Sequence, residues 1–414
     1  MGGSLAKESR RQPSLRLGEV VARRLASATT AGLNTIRSGI QIRFSAVTTC
    51  KNDLPSRHEV VDLFAGPGGL DVGAQWLGMK TTGIELDRNA CATRASAGLL
   101  TVQGDVRDFG PHDFPDATIL AGGPPCQTYT LAGNGAGRHA LEEVLALVDE
   151  MAGGADVSTS LAMFEDERTG LVLEPLRWTL QAIRLKRPYE AVVMEQVPAV
   201  LPIWQAIRTV LERQGYGSDC GILRTEQFGV PQTRRRAILV ARWQGSVKLP
   251  DPSHQHFRKG IPRQAEMGLA PWVSMNEALG RGEGFTVVSN YGSGGDPKNR
   301  GRRDSGEPAA TVTGKVTRNR LEMADGTTTK LTLQEAGRLQ TFPLDYPWSG
   351  NDVGQQIGNA IPPRLAAHVL AAATDATVDG ELLDGAVNAK WLESRGGVCG
   401  ITRTGSTERS DAAS

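Results

Sequence analysis

The sequence predicts an α/β fold: a Rossmann-like, doubly wound, mostly parallel sheet with a small irregular domain set into its second half. Three observations predict it. From Glu59 onward, short apolar runs alternate with helical stretches, the pattern of successive βα units. The residues of chemical interest follow the apolar runs, where the ligand crevice of such a sheet lies. Between about Asp251 and Arg303 the alternation stops, and a basic stretch punctuated by proline and glycine takes its place.

The strands expected in order are Glu59–Phe64, Lys80–Leu86, a short one before Asp105, Ala117–Gly122, Ala191–Glu195 and Arg236–Arg242. Helices are expected over Gly69–Leu77, Asn89–Ala97, Leu141–Met151, Glu174–Leu185 and Ile203–Gln214. After the irregular stretch, helices over Leu333–Phe342 and Pro363–Ala373 return to the first domain. The resulting plan is a basic, disordered extension over 1–55, a main domain over 56–250, an irregular domain over 251–305, a return over 306–375 and a disordered tail over 376–414.

Bulk properties narrow the class. The formal net charge of +1 on 414 residues excludes a uniformly basic nucleic-acid coat, although a local positive face suffices to meet DNA. Arg10, Arg11, Arg16, Arg23, Arg24, Arg37 and Arg43 crowd the extension, which also reads as a basic arm or a transit peptide. The five cysteines, Cys50, Cys91, Cys126, Cys220 and Cys399, form no C-x-x-C pair. That argues against a disulfide framework and a cysteine-built metal site, and no metal is expected. No apolar run approaches the roughly 18 residues of a membrane span.

Two strand ends carry the first candidate site. Val60–Phe64 runs into Ala65-Gly66-Pro67-Gly68-Gly69 and then a helix; glycines there let the backbone turn sharply and approach a ligand. Glu85 closes the next strand 19 residues after Gly66, a place that suits the paired hydroxyls of a ribose. Asp105 could accept from an adenine amino group. A dinucleotide motif would need glycine where Asp71 stands, and there is no G-K-[ST] phosphate loop. An adenosyl ligand without a pyrophosphate fits better, although the glycine loop taken alone is also an ordinary tight turn.

The second candidate is Cys126. Gly122-Gly123-Pro124-Pro125-Cys126-Gln127 follows a strand, and two prolines stiffen the turn. That is an unusual way to fill a core, whereas Cys91 and Cys220 read as ordinary core cysteines. A thiolate held at a crevice mouth is a nucleophile.

Here the chain resembles the DNA cytosine-5 methyltransferases. Pro124-Pro125-Cys126-Gln127 is similar to their catalytic motif, and Asp62-Leu63-Phe64-Ala65-Gly66-Pro67-Gly68-Gly69 to their cofactor loop. Glu195-Gln196-Val197, Pro231-Gln232-Thr233-Arg234-Arg235-Arg236 and Gln356-Ile357-Gly358-Asn359-Ala360-Ile361-Pro362-Pro363 resemble further blocks, in the family's order, over about Val60 to Ala373. The resemblance implies S-adenosyl-L-methionine as cofactor, held by Phe64, Gly66, Gly68, Glu85, Asp105, Pro124 and Asn359. It implies attack of Cys126 on carbon 6 of a flipped-out cytosine. Glu195 would give a proton to N3, and Arg236 would meet O2 and orient Glu195, with Arg234 supporting the same wall. The implied partner is double-stranded DNA, read by the target-recognition stretch. The implied setting is a bacterial restriction-modification system: a monomer in the cytoplasm, working on the nucleoid beside a cognate restriction endonuclease without forming a stable complex.

Gln196 departs from the family's Asn, and Thr130 stands where Ser is common. An enlarged segment, 134–165, carries the helical text Ala140–Val148, which could reshape DNA contacts or act as a lid. Three rivals stay open: an RNA cytosine-5 methyltransferase, a DNA-binding relative that has lost catalysis, and an amino-methyltransferase. The last needs an aromatic residue where Cys126 stands.

Overall fold

The computed structural model describes residues 58–125, 136–164, 166–263, 268–289 and 301–394. The extension over 1–55 and the cysteine at 126 lie outside the described residues.

Seven strands form the main sheet: β1 (Glu59–Leu63), β2 (Lys80–Glu85), β3 (Leu100–Gln103), β4 (Ile119–Gly122), β5 (Ala191–Gln196), β6 (Tyr216–Arg224) and β7 (Arg235–Trp243), in the order β3-β2-β1-β4-β5-β7-β6. The first five run parallel, with Val60 beside Ile119 and Ile119 beside Ala191. β7 enters antiparallel between β5 and β6. Strand order reverses at β1 and β4, so the crevice opens beyond their carboxyl ends.

Strand alternation separates two cores. Val60, Ile119, Ala121, Val193 and Ile238 face α1 (Gly69–Trp76) and α10 (Pro363–Thr374). Val61, Leu63, Leu120, Val192 and Leu239 face α3 (Ala136–Ala152), α5 (Glu174–Arg184) and α6 (Leu201–Arg213). Between these elements lie α2 (Arg88–Ala97) and the short α4 (Ser158–Ala162). The helical text of the enlarged segment belongs to α3, where Val144 and Val148 are fully buried in the second core. Its inner face is therefore a piece of that core.

Three expectations are corrected. Strand β6 was not expected: Gly217-Ser218-Asp219-Cys220-Gly221 lacks a β pattern and is held by its pairing with β7. The irregular domain is a small antiparallel sheet, β8 (Phe285–Val288), β9 (Arg302–Asp304), β10 (Arg320–Met323) and β11 (Thr328–Thr329), in the order β11-β10-β8-β9, with α7 (Met275–Leu279) before it. It runs past residue 305, and its core of Phe285, Val312 and Leu321 is continuous with Leu339 of α8 (Leu333–Leu339) and Ile357 of α9 (Val353–Asn359). The tail from 376 was expected to be disordered, yet it forms α11 (Gly380–Asn388) and α12 (Trp391–Ser394). Leu383, Val387 and Trp391 bury against the first core, an apolar spacing stronger than the surrounding small residues.

Candidate active site

The loop after β1 is built from backbone that side chains rarely adopt. Phe64, Gly66 and Gly68 have φ of 62°, 54° and 104°. Gly68 has no room for a side chain: an added Cβ would lie 2.3 Å from Leu99 Cδ1 and 2.9 Å from the Tyr346 hydroxyl. The Gly66 N–H donates to Glu85 Oε2 at 2.7 Å, and the Asp87 N–H donates to the other carboxylate oxygen at 2.7 Å. Glu85 thus ties the ends of β1 and β2 together. Helix α1 starts without a side-chain cap, which leaves backbone donors at its N-terminus for a ligand anion.

Asp105 follows β3 and accepts from the Arg107 backbone and side chain, with Arg107 Nη2 2.6 Å from Asp105 Oδ2. The Arg107 side-chain hydrogen bond holds this carboxyl below its usual range. Leu86, just beyond β2, is 62% exposed and offers an apolar face at the crevice mouth that the sequence reading did not single out.

Asp71, the residue that breaks the dinucleotide motif, has a positive role. It is fully buried and takes Arg94 through two bonds of 2.7 and 2.9 Å. Arg94 also donates to Thr101 Oγ1 and the Leu100 carbonyl, so α1, α2 and β3 are stapled together. Burial, followed by the charge of Asp71, pushes the carboxyl of Asp62 on β1 well above the ordinary range.

At the next pair of strand ends, β4 delivers Gly122 and Gly123, and β5 delivers Glu195 and Gln196. The Gly123 N–H donates to the Leu63 carbonyl. The Gln196 amide donates to the carbonyl of buried Pro124, while its oxygen accepts from the Val197 N–H. The longer amide thus keeps both donor and acceptor in use, and it grips the chain two residues before Cys126. A Cβ at Gly123 would lie 3.5 Å from Glu195 Oε2, so the carboxylate leans over that turn.

Arg236 reaches Glu195 because β5 and β7 pair with Glu195 opposite Ile238. Arg236 is then the diagonal neighbour on the same face, within reach of a long side chain. Its Nε lies 2.6 Å from Glu195 Oε1, with each side chain 12% exposed. The N–H is not aligned on that oxygen, so the contact is an ion pair rather than a hydrogen bond.

Arg234 is placed differently. Its buried guanidinium donates to the carbonyls of Val312 and Gly358 at 3.1 and 2.8 Å, so it braces the last of the quoted blocks, Gln356–Pro363, called here the closing block. Asn359, at the end of α9, is exposed and accepts from Gln355 at 2.7 Å. Gln232, quoted in the Pro231–Arg236 block but given no role there, donates to Gln340 at 2.5 Å and accepts from the Val312 N–H at 2.8 Å.

The basic stretch splits on inspection. His254 is buried, Arg263 pairs with Glu277 at 2.7 Å, and Arg302 pairs with Glu322 at 2.5 Å. Arg303 lies 4.7 Å over the Phe257 ring. Arg258 and Lys259 are exposed, while Lys298 and Arg300 lie outside the described residues. Cys91 and Cys220 are half-buried rather than core, and burial pushes both thiols upward. Neither has the environment of an activated nucleophile.

Comparison with known proteins joins these parts. The family model described as C-5 cytosine-specific DNA methylase matches residues 58–150, 156–267 and 263–374. The Type II methyltransferase M1.HphI of Haemophilus parahaemolyticus is 27% identical over 343 residues, covering 74% of this chain and 84% of that protein. The Type II methyltransferase M.AplI of Arthrospira platensis is 28% identical over 335 residues, covering 76% and 85%. Among solved structures, the Dnmt2 methyltransferase of S. pombe superposes with a TM-score of 0.52 at 16% identity, covering 76% of this chain and 98% of that one. That likeness is one of fold.

Proposed function

The chain belongs to the C-5 cytosine-specific DNA methylases, and from that premise we propose that it methylates carbon 5 of a cytosine flipped out of a specific double-stranded DNA site, with Cys126 as the covalent nucleophile. The observation that carries this reading is the Arg236–Glu195 pair beside the Gly123–Pro124 turn. Two strand ends bring a carboxyl and a guanidinium to the segment that continues into Cys126.

Carbon 5 of cytosine is a weak nucleophile. Addition of the Cys126 thiolate at carbon 6, with a proton given to N3 by Glu195, turns the ring into an enamine whose carbon 5 can attack. Splitting the reaction this way replaces one hard step with easier ones. Arg236 orients Glu195 and presents donors to O2; it cannot lose its charge. Removal of the carbon 5 proton then lets the thiolate leave. Flipping the base costs a few kcal/mol in stacking and pairing.

The left-handed Phe64–Gly68 loop, the uncapped start of α1, and the acids Glu85 and Asp105 at successive strand ends fit S-adenosylmethionine. When bound, it supplies an electrophilic methyl group. Phe64, Gly66, Gly68, Glu85, Asp105, Pro124 and Asn359 would hold it. That the relatives are Type II methyltransferases supports a restriction-modification origin, and the proposal adds a monomer acting beside a cognate endonuclease without a stable complex.

The test is bisulfite sequencing of DNA from cells expressing the chain or its Cys126→Ala variant. One protected cytosine context in the wild type and none in the variant is expected. Methylation by Cys126→Ala would overturn the covalent mechanism. Transfer to a labelled transfer RNA equal to or above that to duplex DNA would overturn the substrate.

A further inference from the structure

The cofactor loop is held from below by a residue far from it in sequence. The Tyr346 hydroxyl donates to the Pro67 carbonyl at 2.5 Å, across 279 residues. Both residues are buried. Burial and the neighbouring charge of Asp71 push the phenol above its ordinary range, so it remains a donor. The ring is locked among Phe342, Trp348 and Trp391, with centroids 4.8 to 5.2 Å away. Trp391 is fastened in turn: its indole N–H donates to the Ala97 carbonyl at 3.1 Å.

Pro67 sits between the left-handed residues Gly66 and Gly68. A buried carbonyl left without a donor is costly, so the Tyr346 hydroxyl fixes which way the 67–68 peptide faces. That peptide leads directly into the uncapped N-terminus of α1. Its orientation decides where the first backbone donors of the helix point. Gly68 also touches the hydroxyl, since an added Cβ would come within 2.9 Å of it.

We infer that Tyr346 is a positioning residue for cofactor binding, acting through the Pro67 carbonyl and steadied by Trp391 from the C-terminal helices. The inference rests on the reading that this loop binds S-adenosylmethionine. Removing the hydroxyl leaves the ring and its packing in place, but it frees the loop to turn away from its binding shape.

The experiment compares the full-length wild type, Tyr346→Phe and Leu211→Ala, a variant in the second core. It measures S-adenosylhomocysteine affinity by calorimetry, KM for S-adenosylmethionine and for DNA, kcat, and the urea unfolding midpoint. Tyr346→Phe should weaken affinity and raise the cofactor KM about five- to tenfold, the effect of one lost buried hydrogen bond. Its kcat and DNA KM should stay within about twofold. Leu211→Ala opens the second core, which excludes Tyr346 and Pro67, so it should lower the urea midpoint and leave the cofactor KM unchanged. Wild-type affinity in Tyr346→Phe overturns the inference, as does an equal KM rise in Leu211→Ala. A wild-type chain that binds no S-adenosylhomocysteine overturns the cofactor reading itself, a separate result.

Discussion

Arg236 Nε stands 2.6 Å from Glu195 Oε1, across two antiparallel strands whose register makes them diagonal neighbours. The pair is almost closed to solvent, so neither partner is a free surface charge. Glu195→Gln keeps the shape and an amide donor but has no acidic proton to give. Its kcat should fall about 10²–10⁴-fold, the usual span of general acid catalysis, while S-adenosylhomocysteine affinity stays within about threefold. Single-turnover transfer of labelled methyl groups to duplex DNA, beside calorimetry, would check both halves. A variant retaining a tenth of the wild-type rate would remove Glu195 from the proton transfer.

The Asp71–Arg94 pair predicts a stability effect without chemistry. Both side chains are fully buried, and removing one partner strands the other charge in the interior. Asp71→Asn should lower unfolding free energy by about 3–5 kcal/mol, read from urea denaturation. Gly83 lies in the same cluster: a Cβ there would sit 2.1 Å from Arg94 Nη2. A loss below about 1 kcal/mol would show that the buried guanidinium finds another partner.

Two histidines, buried His254 and half-buried His368, set an acid limit on the fold. Burial, and then the charge of Arg364, push His254 down to about 4 and His368 down to about 3. The unfolded chain takes up these protons near pH 6.5 and the folded chain does not. Stability contributed by the neutral rings is therefore fully present above pH 6.5 and is lost as pH falls toward 4. Each histidine should cost about 1.4 kcal/mol per pH unit in that window. His368→Gln should flatten the decline of the urea midpoint between pH 7 and 5. An unchanged slope would locate the acid sensitivity elsewhere.

What could be read in the sequence was what is written locally. Val60, Val61 and Leu63 around Asp62, and the run Ala191–Met194, read as interior strands, and their ends carry the loop and Glu195 within a few residues. Strand β6 escaped because Gly217 to Gly221 has no alternation; its partner β7 imposes the conformation. The Gln232–Gln340 contact, between residues 108 positions apart, and Tyr346 with Pro67 were invisible for the same reason. Each half is unremarkable until folding brings the other to it. The resemblance put Arg234 and Arg236 on the same wall, but Arg234 stands just before β7 and only Arg236 lies within it. One guanidinium reaches the closing block and the other the carboxylate. The tail misled because its small polar residues outnumber Leu383, Val387 and Trp391, which bury regardless.

The bond from Trp391 back to Ala97 spans 294 residues, and it sets the order of events at the ribosome. Ala97 emerges long before its partner, roughly 15–60 s earlier at ordinary synthesis rates. Through that interval α2 and the loop beside it lack their last buttress. The loop proposed to hold the cofactor therefore gains this support only after Trp391 has been made.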